Sequence, residues 1–354
     1  MRAESLEFFR QIVNTPSPSG YEQRAGELYR RYTREFADSV QTDVMGNVIA
    51  AINPAGRPRV MFAGHMDEIG FIVKYISEEG FLYFGPIGGH DPVIPVGQRV
   101  LVHTRSGPIP GVIGKKPIHL MEEDERSKAP KLHELWVDIG ATSKADAQSV
   151  VRIGDPITID VEFRELRNGF ATARGFDNKM GAFIVAEALR LLSEDRPTAA
   201  VFAVATVQEE IGLRGARTSA YGVDPQVGIA VDVTHATDYP SVDKKRVGEI
   251  LPGKGPVICR GANINPRVFD MLVETAEAEG IPYQLEAAGG GTGTDANAMQ
   301  ISRAGMATGL VSVPLRYMHT PCELLALEDV ENAARLLAAF TRRINEHISF
   351  IPEP

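Results

Sequence analysis

Two adjacent carboxylates, Glu209 and Glu210, close the uncharged run Val201 to Val207. A run of small and β-branched residues of that length reads as a central strand buried on both faces. Charge arriving only at its C-terminal end is informative, because open α/β sheets bind their ligands at that edge. The same arrangement recurs. The run from Arg59 closes on His65 and Asp67, and the run from Val227 closes on Asp232. Asp177 stands just ahead of the apolar-periodic stretch 182–192, at or near a helix N-terminus. His319 follows the apolar run 307–313. His65, Asp177, Glu209, Glu210, Asp232 and His319 thus form a set of imidazoles and carboxylates that buried strands would gather at one sheet edge.

Oxygen donors mixed with imidazole suit zinc, manganese or cobalt better than calcium or a thiolate-preferring ion. Six such side chains exceed what one catalytic ion needs. Two divalent cations sharing one carboxylate need about three donors each and leave one residue to act as a base. That arithmetic points to a two-metal hydrolase, with zinc the first choice and cobalt or manganese the alternatives. Asp67, two residues from His65, is close enough to accept from its imidazole and orient it.

The elements that must position these residues follow from periodicity. Helices are expected over 4–14 and 22–36, strands over 39–43 and 46–53, and then the strand ending at His65. From about 70 to 165 the strands are short and helical periodicity is nearly absent. Steps such as Gly85-Pro86 and Asp91-Pro92 punctuate this stretch, as in a small β-barrel inserted into an α/β domain. Its histidines, His90, His103, His119 and His133, end no buried strand and read as surface or loop residues. From Asp177 the α/β pattern resumes, with helices over 179–194 and 264–279, strands over 199–207, 227–231, 283–286 and 307–313, a helix over 294–304 and a long closing helix over 327–350. The glycine-rich stretch 289–295 lacks a Gly-Lys-Ser/Thr ending and reads as an active-site loop rather than a phosphate loop. The expected fold class is α/β, a mixed sheet flanked by helices. Residues 1–69 and 166–354 would form the catalytic domain, and 70–165 an inserted β-rich domain used in assembly.

With 354 residues, 44% of them hydrophobic, the chain has ample material for a core. A net charge of −9 with dispersed Lys and Arg argues against a nucleic-acid partner. No stretch approaches the roughly 18 apolar residues that span a bilayer. The N-terminus has no apolar signal core, and two cysteines make no disulfide framework, so a cytoplasmic location is expected. Cys322, three residues after His319, reads as a small buried residue rather than a ligand.

The segments AGHMDEIGF, GFDNKMG, QEEIGLRGA, VDVTHA and RYMHTPCE, in this order and spacing, resemble the M42 family of metallo-aminopeptidases, the glutamyl/leucyl and tetrahedral aminopeptidase group. The resemblance covers nearly the whole chain. It implies that Asp177 bridges two cations, with Glu210 and His319 on one, His65 and Asp232 on the other, and Glu209 as general base. It also implies a zinc-exopeptidase-like fold, peptide substrates with a free N-terminus, and self-association from a dimer up to a tetrahedral dodecamer. Two other readings compete. A glycoside hydrolase needs two free carboxyls across a sugar cleft, and a non-catalytic scaffold would have lost a donor or the base; every expected residue type is present.

Overall fold

A computed structural model describes residues 1–352. Its centre is an eight-stranded mixed sheet in the order Ser39–Thr42, Val48–Ile52, Ala200–Thr206, Arg59–His65, Val227–His235, Ala307–Leu315, Val257–Gly261 and Gln284–Ala288. The four inner strands, from Ala200–Thr206 to Ala307–Leu315, run parallel. They are mostly Val, Ala, Ile, Leu, Phe, Met and Gly, and nearly every position is buried, because both faces are covered. Val48–Ile52 and Val257–Gly261 pair antiparallel with this parallel core on either side. Because parallel strands share a direction, His65, Thr206 and Asp232 come to the same edge.

One face is covered by helices Ala3–Asn14, Gln23–Thr33, Phe176–Glu194 and Leu327–Arg342, the other by Arg214–Val223 and Asp295–Met299. Helix Phe176–Glu194 is buried along most of its length. It crosses the strand Arg59–His65 where glycine faces glycine: a Cβ on Gly64 would lie 2.3 Å from the Gly181 carbonyl carbon. A side chain on Gly64 has no room against the helix, and a Cβ on Gly181 would lie 2.7 Å from the Val231 carbonyl oxygen, so both glycines let the helix that carries Asp177 lie close on the sheet.

Strands Gly70–Ile76, Leu82–Ile87, Trp136–Asp138, Gly107–Gly114, Arg99–Thr104 and Pro156–Ile159 close into a barrel. The barrel has its own interior of Phe71, Phe84, Val100, Val102, Val137 and Ile157, separate from the main core. A third sheet, Arg164–Glu165, Phe170–Ala173 and Glu323–Ala326, lies beside the helix N-terminus that carries Asp177.

Several sequence expectations need correction. The closing helix stops at Arg342, not 350. Beyond it the Phe350 carbonyl accepts from the Asn265 side chain, the residue that caps helix Pro266–Ala278. The helix expected over 294–304 is only Asp295–Met299; turns follow it, with Arg303 and Gly305 in left-handed backbone. Short helices also form at Glu123–Arg126 and Lys144–Val150 in the β-rich stretch. Cys322 is exposed, while Cys259 is buried.

Candidate metal centre

The strand Ala200–Thr206 ends, and a left-handed Gln208 turns the chain so that Glu209 and Glu210 point into a cleft at the sheet edge. Asp67 fixes that turn. Its carboxylate accepts from the Glu209 N–H at 3.0 Å, the Glu210 N–H at 3.2 Å and the Ser19 hydroxyl at 2.6 Å. The imidazole of His65 faces the Asp67 backbone carbonyl with Nδ1, at 3.1 Å, with the Asp67 carboxylate at 3.4 Å. Asp67 thus lies beside His65, nearest through its backbone carbonyl, while its carboxylate grips both glutamates.

With Nδ1 so engaged, His65 aims Nε2 at the acids: 3.3 Å to Asp177, 3.6 Å to Glu209 and 3.9 Å to Asp232. His319 aims its own Nε2 at the other Asp177 oxygen, at 3.4 Å, and at Glu210, at 3.5 Å. Asp177 thus presents one carboxylate oxygen to each imidazole. All six residues singled out by sequence meet in one cleft. Two overlapping groups bring donor atoms within 4.8 Å of one another, His65–Glu209–Asp232 and His65–Asp177–Glu210.

The electrostatics are those of too much negative charge in too little water. Burial, with Asp232, Asp295 and Asp67 adding, pushes Glu209 up to about 9. Burial and Asp177 push Asp232 up to about 8 against the pull of His65. Glu210 is driven well above the carboxylate range by burial and Asp177. Burial works against the charged form of Asp177 as well, but the two imidazoles outweigh it and hold the acid well below its ordinary value. Burial opposes a charge on His65 too, yet Glu209, Asp177 and Asp67 raise it well above the usual imidazole range.

Divalent cations fit this site on three counts. The donors are carboxylate and imidazole, their atoms converge, and Glu210 Oε1 is buried with no protein hydrogen-bond partner. His65, Asp177, Glu209, Glu210, Asp232 and His319 could all reach cations held there.

Sequence reasoning passed over several residues. Glu323 is buried and accepts from the N–H groups of Asp177 and His319, at 3.1 Å each; its only signal was its place four residues after His319. Asp295 closes the glycine-rich stretch, accepts from the Thr206 hydroxyl at 2.5 Å, and is raised to about 6 by burial. Next to Asp67, buried Glu68 binds Arg174 and Lys179, whose charges hold it down at about 2 although burial opposes this. His90 lies in a loop as read, but it is half-buried: it stacks on Phe71 with Nε2 2.7 Å from the Gly70 carbonyl, and burial lowers it to about 4. His103 is also half-buried, against Thr158, while His119 and His133 are exposed as expected.

This fold is that of a class of aminopeptidases among solved structures, and its cleft holds acidic and histidine groups that could bind metal. Residues 46–336 match the M42 glutamyl aminopeptidase family, and the chain belongs to that family of aminopeptidases, enzymes that hydrolyse N-terminal peptide bonds. It is similar to the lysyl aminopeptidase of Pyrococcus furiosus, with 40% identity over 96% of this chain and 97% of the relative. Among solved structures, a TET aminopeptidase from a marine sediment archaeon, Thaumarchaeota archaeon SCGC AB-539-E09, superposes with a TM-score of 0.92 at 36% identity, covering 97% of both chains. The TET1 peptidase of Pyrococcus horikoshii, which can assemble into a tetrahedron or a large octahedral shell, superposes at 0.86 with 33% identity over 96% of this chain and 100% of that one.

Protonated Asp232 and Glu209 give a test of the charge argument. Their folded values of about 8 and about 9 lie above the unfolded 3.8 and 4.5, so the metal-free native state binds more protons than the unfolded chain. Stability then falls as pH rises. Denaturant unfolding of chelated protein should show a declining midpoint from about pH 5 to about pH 8, and saturating divalent metal should flatten the decline. A midpoint that rises across this range in chelated protein would contradict the assignment.

Proposed function

We propose that this chain is a cytoplasmic aminopeptidase carrying two divalent cations, zinc first with cobalt or manganese as alternatives, that removes N-terminal residues from short peptides. The observation that carries this reading is Asp177, with one oxygen toward each imidazole at 3.3 and 3.4 Å. In this assignment Asp177 is shared between the cations, Glu210 and His319 complete one site, and His65 and Asp232 complete the other. Bound there, divalent cations supply Lewis acidity toward a water and the scissile carbonyl.

The chain's own residues do the rest. Glu209, next to Glu210 in sequence but on the His65–Asp232 side of the cleft, takes a proton from the attacking water and returns it to the leaving amine. Without cations its environment favours the protonated form, and cations bound beside it would favour the carboxylate that accepts the proton. Asp67 keeps Glu209 and Glu210 at their separate stations through their backbone N–H groups. Among the described residues the carboxylates lining the cleft are Asp177, Glu209, Glu210 and Asp232, and a free α-ammonium group would find its counter-charge among them, so N-acetylated peptides are expected to be poor substrates.

Beyond the acids and imidazoles, the cleft wall consists of neutral residues such as Leu213, Thr234, Thr292, Asn297 and Met318. Among the described residues no Lys or Arg lines it.

The convergence of the carboxylates with imidazoles on common points favours metal binding over glycoside hydrolysis, in which two free carboxyls stand about 5 to 9.5 Å apart across a sugar. We assign residues 1–69 and 166–354 to catalysis and 70–165, which supplies none of the six residues, to self-association between a dimer and a tetrahedral dodecamer.

The adjacent glutamates separate the roles. Glu209→Gln keeps shape and removes the proton acceptor, so kcat on an aminoacyl chromogenic substrate should fall about 100- to 10,000-fold with metal content unchanged. Glu210→Gln should lose metal and regain part of its activity when zinc, cobalt or manganese is added. The reverse pattern would exchange the two assignments. Full wild-type activity after chelation, verified metal-free by elemental analysis, would overturn the reaction class.

A further inference from the structure

The buried carboxylate of Glu323 has no place in the six-residue set, yet it touches two members of it from behind. It is 2% exposed and opens the strand Glu323–Ala326. The nearby cations Arg174 and Lys179 do not serve it; both are bound to Glu68, at 2.5 and 2.8 Å. Its partners are backbone: Oε2 accepts from the Asp177 N–H and Oε1 from the His319 N–H, each at 3.1 Å.

Those two N–H groups belong to elements remote in sequence. Asp177 stands at the N-terminal end of Phe176–Glu194, where its own backbone (φ −78°, ψ 101°) is not helical, its N–H has no intrahelical partner, and Gly175 at the N-cap has no side chain to serve it. His319 sits in the turn between Ala307–Leu315 and Glu323–Ala326, in left-handed backbone at φ 59°, as does Tyr317 at φ 61°. A non-glycine residue holds that conformation only where its surroundings fix it. One carboxylate spanning both N–H groups ties the turn to the helix end. The side chains of Asp177 and His319 then meet on the far side, at 3.4 Å.

We propose that Glu323 is a positioning residue for the metal centre, setting the spacing between the shared donor Asp177 and the donor His319 by clamping their backbones. This rests on the two-cation reading given above. Glu323 is not itself a ligand in this account, since both its oxygens are engaged by N–H donors. A donor pair must be held to within about 0.5 Å to coordinate well, and a turn in left-handed backbone does not hold itself.

The test is a cobalt(II) titration of the metal-free full-length chain, read by visible absorption, which reports coordination geometry, with unfolding of the metal-free protein measured in parallel. Glu323→Gln keeps size but offers one acceptor for two N–H groups. It should retain folded metal-free protein, weaken cobalt binding about 10- to 100-fold in one of two sites, and alter the absorption bands. Its kcat should fall with little change in KM. Glu323→Asp keeps both acceptor oxygens and should recover part of the affinity, and it serves as the second variant if Glu323→Gln does not fold. Variants with wild-type cobalt affinity and spectrum, whatever their stability, would overturn the positioning role. A wild-type chain that binds no cobalt would instead overturn the two-cation reading, a result distinguishable from failure of the variant alone.

Discussion

Four carboxylates, Asp177, Glu209, Glu210 and Asp232, are packed at one sheet edge against two imidazoles, and that crowding is the constraint on which the rest of the structure depends. Charges withdrawn from water and placed side by side repel strongly, so groups in such a site shift their proton affinity or accept cations. Burial, with neighbouring carboxylates adding, displaces Glu209, Glu210 and Asp232 upward, whereas two imidazoles against Asp177 outweigh burial and displace it downward. Such a site costs stability without cations. The surrounding fold supplies the rigidity to hold it: a buried parallel core, and a helix pressed against strand Arg59–His65 at Gly64 and Gly181.

Around the donors lies a layer of groups that bind backbone rather than ligand. Asp67 holds the two glutamates by their N–H groups, and Glu323 does the same for Asp177 and His319. Glu68, Arg174 and Lys179 form a third buried group, with Lys179 Nζ donating to the carbonyls of Val13 and Thr15. That contact joins the N-terminal helix Ala3–Asn14 to the helix bearing Asp177. Removing one partner from such a buried group leaves the others unpaired, a cost larger than the net worth of the bond.

Much of this was legible in the sequence, and the reasons differ by residue. His65, Glu209 and Asp232 announce themselves because an uncharged strand makes the first charge at its end conspicuous. Asp177 and His319 were legible from their place beside apolar stretches, and the fold class from alternating helix and strand periods. Glu323 was not, because nothing in a lone glutamate says that it accepts from two backbone N–H groups of other segments. That the loop residue His90 is half-buried could not be read, because it packs on Phe71 and the Gly70 carbonyl, 20 residues away in sequence, with no local signal. The overlong closing helix has the same origin: helical periodicity continues past Arg342, but a tertiary hydrogen bond to Asn265 draws the segment elsewhere.

The central claim is that Asp177 is shared between two cation sites, and the most direct measurement is metal stoichiometry by elemental analysis of wild-type and Asp177→Ala protein dialysed against zinc. The account predicts two ions per wild-type chain and, because each site loses a donor when the shared carboxylate goes, depletion of both in the variant. One ion per wild-type chain, or a variant that loses one ion and keeps the other at full occupancy, would contradict it.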